Sequence, residues 1–242
     1  QAVAALAGGT ATIGKVDKIV GPGNKWVQAA KKNVSGDYVG IDSIAGPSEV
    51  LILANEQANP VWIAADMLSQ AEHAADSSAI VLTDSESLAK ETLKELQKQL
   101  TELPRTKEAK ESLKNFSAIV VVEDMSRAIE MADDFAPEHL EVQCGGQSRE
   151  IAGRISNAGA IFIGSYTPVA VGDYWAGPSH TLPTGMRAKF ASALTSNDFL
   201  KSTSIVEYDQ EMLAASADDI ARIAEVEGLH AHAKSIKIRQ QD

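Results

Sequence analysis

Short apolar runs alternate with longer segments of helical periodicity along most of the chain, from Val16 to Gly164. The runs have the apolar character of buried strands, and the segments between them repeat apolar residues at helical spacing. Strands that alternate with helices are typical of an α/β fold with a parallel, doubly wound sheet. The predicted strands are 16–20, 38–42, 50–54, 78–83, 118–123, 140–142 and 160–164.

The predicted helical segments differ in polarity. The run 60–75 is apolar on one face, whereas 85–116 is rich in lysine and glutamate and predicts a solvated outer helix or helix pair. Region 165–184 carries little helix or strand pattern and is predicted to be a long functional loop. The region 203–239 is predicted to be mostly helical, with a break at Gly228. Further helices are predicted at 25–33, 125–135 and 149–157.

Three polar clusters are predicted to share one edge of the sheet. Ligands of parallel α/β sheets gather beyond the carboxyl ends of the strands. The clusters are 70–73, 137–139 and the loop 165–184, and we expect each to follow or flank such an end.

Composition excludes some classes of partner. The chain has 242 residues, of which 44% are hydrophobic and 23% charged, as in an ordinary globular protein. A net charge of −11 argues against nucleic acid and anionic membrane surfaces as partners. No apolar run approaches the length of a membrane span. The single cysteine, Cys144, predicts a reducing compartment, the cytoplasm, and resembles a small residue near a strand end more than a nucleophile.

Side chains suited to a divalent metal are spread along the sequence. Gln70 and His73 are three residues apart, so on a helix they project from one face. Spacing alone favours a solvated or capping helix end over a metal site. Asp173 in the loop and His230 or His232 in the tail would complete a set of oxygen and nitrogen ligands for Zn²⁺ or Mn²⁺, with room for a chelating substrate.

Glu138 and His139 are adjacent and belong to the two commonest types of proton-transfer group. Neighbouring strand residues face opposite ways, so both can serve one site only where the backbone is irregular, which Pro137 permits. A surface pair is the alternative.

The turn 21–24, between a predicted strand and helix, is either a phosphate-binding turn or a plain connection. Ser48 could direct its hydroxyl at a ligand.

Several long motifs in order resemble the histidinol dehydrogenase family. They are IVGPGN at 19–24, IDSIAGPSEVL at 41–51, ADMLSQAEH at 65–73, FAPEHLE at 135–141, NAGAIFIG at 157–164, GDYWAGPSHTLPT at 172–184 and EGLHAHA at 227–233. The resemblance implies oxidation of L-histidinol through L-histidinal to L-histidine, with NAD⁺ as the oxidant, in the last steps of histidine biosynthesis. It also implies zinc, with Mn²⁺ as the alternative metal, and a homodimer.

The resemblance assigns roles to individual residues. His139 resembles the general base and Glu138 the residue that activates water in the second step. The metal ligands implied by the family are Gln70, His73, Asp173 and, from the partner subunit, His232. The substrate contacts implied are Ser48, Gln70, His73, His139, Asp173, His180, Glu227 and His232. Gln1 and Asn24 match positions that contact NAD⁺.

The resemblance covers roughly the C-terminal half of the family and a little more. The first nine residues resemble a helix tail that ends at a glycine cap, and we expect the chain to begin inside a larger fold. The expected architecture is an incomplete Rossmann-like, doubly wound sheet with a helical C-terminal tail. Residues 1–45 would be half of the NAD-binding domain, 46–193 the metal- and substrate-binding domain and 194–242 a dimer-contacting tail. Alternatives are a related dehydrogenase for another small alcohol, such as a sulfonate diol, and an inactive metal-binding or dimerisation module.

Overall fold

A computed structural model describes residues 1–104 and 106–240. The chain divides into two compact units, Gln1–Phe199 and Leu200–Asp242. The first unit contains the sheets and the second contains helices. The division into an NAD-binding half-domain, a substrate-binding domain and a dimer-contacting tail stays a prediction.

Within the described residues, the first unit has two parallel sheets. One sheet has two strands and the other has five, and all neighbouring strands in both sheets are parallel. The α/β fold with parallel sheets is therefore confirmed. The strands are β1 Lys18–Ile19, β2 Gly40–Ile41, β3 Glu49–Ala54, β4 Ser78–Thr83, β5 Ala118–Val121, β6 His139–Gln143 and β7 Ala160–Ile163. Strands β1 and β2 form the small sheet, and the five-stranded sheet has the order β5-β4-β3-β6-β7.

Helices connect these strands, and side chains cap several of them. The side chains of Asn59, Ser85 and Asp124 accept hydrogen bonds from backbone N–H groups at the starts of the helices that begin at Pro60, Glu86 and Met125. These helices therefore begin where the sequence offers an oxygen acceptor. The helices of the first unit are α1 Ala2–Gly8, α2 Lys25–Val34, α3 Pro60–Ala71, α4 Glu86–Leu100, α5 Thr106–Asn115, α6 Met125–Phe135, α7 Ser148–Ala152 and α8 Val169–Tyr174.

The five-stranded sheet is covered on both faces. Alternate residues of β3 point to opposite sides, so Val50 and Ile52 pack toward α3 and α4, whereas Leu51 and Leu53 pack toward α6 and α7. All of these side chains are buried. Their burial fixes the register in which β3 meets β4 and β6, because a one-residue slip would exchange the two faces.

A buried ion pair holds the turn that follows β1. The side chains of Lys31 and Asp42 are both buried and in contact. Lys31 Nζ also donates to the Gly21 carbonyl at 2.9 Å, and the Asp42 carboxylate accepts the Gly21 N–H at 2.7 Å. Both polar groups of this glycine are thereby satisfied, and its φ of 121° suits a residue without a side chain.

Three local predictions are wrong. The helix that starts at Pro60 ends at Ala71, so His73 lies in the following turn rather than on the helix. The predicted loop 165–184 contains helix α8, because a helix of six residues is too short to show a helical periodicity. Strand β5 is an edge strand with Val121 47% exposed, and it is not buried as expected.

The edge assigned to the polar clusters is also wrong. Ser48 and Glu138 directly precede β3 and β6, so their clusters lie at the amino ends of these strands. The turn that holds His73 leads into the amino end of β4. Helix α3 follows β3 and runs back along the sheet, which brings its carboxyl end to the amino edge.

The second unit packs two helices, α9 Gln210–Val226 and α10 His230–Lys237, on each other. Small buried side chains, Ala221, Ala224 and Ala233, form their contact. The predicted helical tail is confirmed from Gln210 onward. Among residues 1–104 and 106–240, no helix is both long and apolar enough to cross a bilayer.

Candidate active site

A cavity of about 370 Å³ lies at the amino edge of the five-stranded sheet. The turns that follow β1 and β2 supply part of its wall. The residues before β3 and β6, helix α8 and the segment after it supply the rest. The lining residues are Pro22, Gly23, Ala45, Gly46, Ser48, His73, Glu138, His139, Asp173, Tyr174, His180, Thr181 and Leu182.

Two buried glutamates, Glu49 and Glu138, fix the entries to β3 and β6. The Glu49 N–H donates to the Glu138 carboxylate at 3.0 Å, and the Glu138 N–H donates to the Glu49 carboxylate at 3.3 Å. The Glu49 carboxylate also accepts the Gly185 N–H at 2.9 Å. These hydrogen bonds fix the starts of β3 and β6 relative to each other and to the backbone at Gly185.

The same strand register orients the imidazole of His139. Val50 pairs with His139, which places the Glu49 carbonyl oxygen 3.0 Å from Nδ1. A carbonyl only accepts, so Nδ1 carries the proton and Nε2 of the neutral ring keeps its lone pair. Burial lowers the pKa of His139. The ring is therefore held as a neutral base at neutral pH, with Phe162 packed against it at 5.9 Å between ring centroids.

The carboxyl group of Glu138 has a raised pKa. Burial raises its pKa to about 8, and the negative charges of Glu49 and Asp173 add to the rise against the hydrogen bonds from Glu49 and Ser48. Its carboxylate lies 3.6 Å from His139 Nδ1. The residue before β6 is a bend, and both side chains line the cavity, as the irregular backbone at Pro137 allows.

Three side chains predicted as metal ligands lie around the end of α3 and on α8. His73 and Asp173 line the cavity together, and both act electrostatically on His139. Gln70 is 1% exposed, and neither its amide oxygen nor its nitrogen has a hydrogen-bond partner. An unpaired buried amide is costly, and an ion held at its oxygen would remove the part of that cost that belongs to the oxygen. The residues present therefore fit a divalent metal.

The remaining residues predicted to bind substrate, NAD⁺ or metal lie in different parts of the chain. Ser48 and His180 line the cavity. Asn24 caps helix α2 by accepting the N–H groups of Trp26 and Val27, and Gln1 is exposed before α1. In the second unit, Glu227 ends helix α9, and His230 and His232 are exposed on α10. Among residues 1–104 and 106–240, no three His, Cys, Asp or Glu side chains are grouped to hold a metal.

Sequence reasoning missed Glu49. The signal was the same as for Glu138, a carboxylate directly before an apolar strand. Its importance depends on β3 and β6 being neighbours, which the order of elements along the chain does not reveal.

Gly159 supports the backbone of Glu138. A Cβ at this position would lie 2.5 Å from the Glu138 carbonyl oxygen, which is rigid backbone. We expect Gly159→Ala to lower the free energy of unfolding by about 1–3 kcal/mol, because the strand entry must shift. Urea denaturation of the two proteins measures the difference.

Gly146→Ala is the matched control, since its Cβ would meet no atom within 4 Å. Equal destabilisation by both substitutions would contradict the tight approach at Glu138.

The fold and site define an α/β protein with a buried carboxyl–imidazole pair beside a set of cation ligands. A family model described as histidinol dehydrogenase matches residues 1–240. The chain belongs to the histidinol dehydrogenase family.

Individual relatives agree with this assignment. Histidinol dehydrogenases of Bacillus subtilis and Prochlorococcus marinus are 52% and 50% identical over 242 residues, which is 100% of this chain. A crystal structure of histidinol dehydrogenase from Elizabethkingia anophelis, 38% identical, matches all of this chain with a TM-score of 0.91. The chain covers 54–56% of these proteins and so spans about half of their length.

Proposed function

We propose that this chain carries the metal-binding and proton-transfer residues of a histidinol dehydrogenase. The whole protein would oxidise L-histidinol to L-histidinal and then to L-histidine in histidine biosynthesis. The observation that carries the proposal is the neutral His139, whose Nδ1–H donates to the Glu49 carbonyl and lies 3.6 Å from the buried Glu138 carboxyl, which leaves Nε2 as the basic nitrogen.

In the first step, His139 Nε2 takes the proton of the substrate alcohol. The charge that develops on the ring is stabilised by the Nδ1–H bond to the Glu49 carbonyl and by Asp173, whose charge favours a protonated ring. NAD⁺, when bound, accepts a hydride in each step. The alcohol thus loses a proton to the protein and a hydride to the cofactor.

In the second step, water adds to the aldehyde to give a hydrate, which loses a second hydride and two protons to become the carboxylate. Glu138 in its ionised form removes the proton from the attacking water. A pKa of about 8 makes this carboxylate a stronger base than an exposed glutamate. Its hydrogen bonds to the Glu49 N–H and to Ser48 hold it in place.

Gln70, His73 and Asp173 would hold the metal, with His232 of the partner subunit as a fourth ligand. A zinc or manganese ion held by these residues would supply a Lewis acid that orients the substrate. The support from this chain is the unpaired amide of Gln70. Ser48 and His180 would contact the substrate from the cavity wall, and Glu227 would do so from the partner subunit.

Gln1 and Asn24 would contact NAD⁺. Pro22 and Gly23, which precede Asn24, line the cavity and support a cofactor position on that side. We also propose a homodimer in the cytoplasm. Cys144 is a buried free thiol, and burial raises its pKa to about 11, which fits an unreactive residue in a reducing compartment.

The test is a chimera in which this chain replaces the matching segment of the Bacillus subtilis relative. NADH formation is followed by absorbance, with L-histidinol, NAD⁺ and Zn²⁺ supplied. We expect two NADH per histidinol, and loss of activity after metal chelation that added Zn²⁺ restores. The unaltered relative serves as the positive control.

Each alternative predicts a different result. Turnover of a sulfonate diol but not of histidinol would overturn the substrate assignment in favour of a related dehydrogenase. Zinc binding by a folded chimera that turns over neither alcohol would overturn the catalytic proposal in favour of a metal-binding module.

A further inference from the structure

The face of β6 that packs toward α3 is polar throughout, which is unusual for a strand inside a parallel sheet. His139, Glu141 and Gln143 occupy this face, and all are buried. The residues between them, Leu140 and Val142, belong to the apolar core on the other face. Only His139 is explained by the proposed chemistry.

Glu141 and Gln143 form a network with Asp66 of α3. Gln143 Nε2 donates to the Asp66 carboxylate at 2.8 Å and to the Glu141 carboxylate at 2.9 Å. The other oxygen of Glu141 accepts the Val169 N–H at 2.9 Å. Val169 is the first residue of α8, which has no side-chain cap from Pro168. Glu141 therefore caps this helix from the strand.

Asp66, Val169 and Glu141 each lie close in sequence to a residue of the proposed site, one turn away on a helix or two positions away on the strand. Asp66 precedes Gln70 by one helical turn on α3, and Val169 precedes Asp173 by one turn on α8. Glu141 is two residues after His139, on the same face of β6. The network thus joins the three elements that carry two proposed metal ligands and the base.

We propose that Asp66, Glu141 and Gln143 form a polar latch that positions α8, and with it Asp173, against α3 and β6. They are positioning residues, and the inference rests on the proposed metal-binding function. A buried carboxyl pair gains little over apolar side chains of the same size, so stability alone does not account for the network.

The charge state of the pair is consistent with the latch. Burial raises the pKa of Glu141 and of Asp66, and their proximity raises that of Glu141 further. Two buried carboxyl groups in contact hold one proton between them, so one hydrogen-bonds to the other. Glu141→Gln mimics the protonated form and keeps an acceptor oxygen for the Val169 N–H.

The experiment measures metal binding and amide exchange in the 242-residue chain. Co²⁺ titration gives the affinity from the visible spectrum, and hydrogen exchange reports the Val169 amide in the metal-free chain. We expect Glu141→Leu to weaken Co²⁺ binding at least 10-fold, as removal of groups that orient metal ligands does. Exchange at Val169 should accelerate in the same variant. Glu141→Gln should retain affinity within about 3-fold, as a substitute that keeps the acceptor.

Ser112→Ala is the matched control. The Ser112 hydroxyl is buried and donates to the Ser77 carbonyl at 2.8 Å, so the variant loses a buried hydrogen bond between other elements. Gln143→Met, which removes the bridging donor and keeps the side-chain length, tests the latch if Glu141→Leu does not fold. It should also weaken Co²⁺ binding.

Other outcomes separate the two proposals. Wild-type affinity in a folded Glu141→Leu or Gln143→Met chain would overturn the latch alone, as would an equal loss in Ser112→Ala. A wild-type chain that binds no Co²⁺ would overturn the proposed metal site and the latch's role with it.

Discussion

Replacing His139 with alanine is expected to reduce NADH formation by the chimera about 100- to 10,000-fold, the usual contribution of a general base. Metal binding should be retained, because His139 is not among the proposed ligands. Since burial lowers the pKa of His139, the acidic limb of the pH–rate profile of the unsubstituted chimera should lie below the ordinary histidine value of 6.5.

Thr92→Val is the control for this substitution. Thr92 is buried on α4, its hydroxyl has no hydrogen-bond partner, and valine has nearly the same shape. A His139→Ala chimera with more than a tenth of the control's rate would exclude His139 as the base.

The second large effect concerns the stability of the metal-free chain as a function of pH. Glu138 has a pKa of about 8 in the folded chain, against 4.5 as its ordinary value. Between these values the folded state binds more protons than the unfolded state, so the free energy of unfolding falls as the pH rises through this window. The contribution of Glu138 amounts to at most about 5 kcal/mol.

Glu138→Gln removes this titration while it keeps an acceptor oxygen for the Glu49 N–H. We expect the variant to gain stability relative to the parent chain between pH 5 and pH 8.5, as measured by urea denaturation with a chelator present. Glu130→Gln, at an exposed position, should follow the parent chain at every pH. Parallel curves for the parent chain and Glu138→Gln would show that Glu138 ionises at its ordinary pKa.

Much of the fold follows from local pattern. The strand at Glu49–Ala54 is uniformly apolar after its first residue, and the helix from Pro60 has a cap and an apolar face, so both are visible without a structure. The family motifs assigned roles to the site residues that their spacing alone could not assign. Gln70 and His73, for example, fit a solvated helix end equally well by their positions alone.

The pattern of apolar and polar residues did not predict the features that depend on contacts between distant segments. The carboxyl-edge prediction assumed that a polar cluster after a helix follows a strand end, whereas α3 returns the chain to the amino edge before β4 begins. The roles of Glu49 and Glu141 require β6 to lie beside β3 and α8 to lie over β6. Pairing across about 90 residues sets this arrangement, as in the Val50–His139 register.

The amino-edge location of the cavity determines the electrostatic potential around it. Helices α3 and α6 both end at this edge, just before β4 and β6, and the carboxyl end of a helix carries about half a negative charge. Asp173 lines the cavity and adds a carboxylate at the same place. The potential therefore attracts cations and repels phosphate. Helix α2 presents the opposite pole to the cavity, since its amino end follows Gly23, which is one of the lining residues. The backbone dipoles therefore give the cavity a negative side, where α3 and α6 end, and a positive side, where α2 begins.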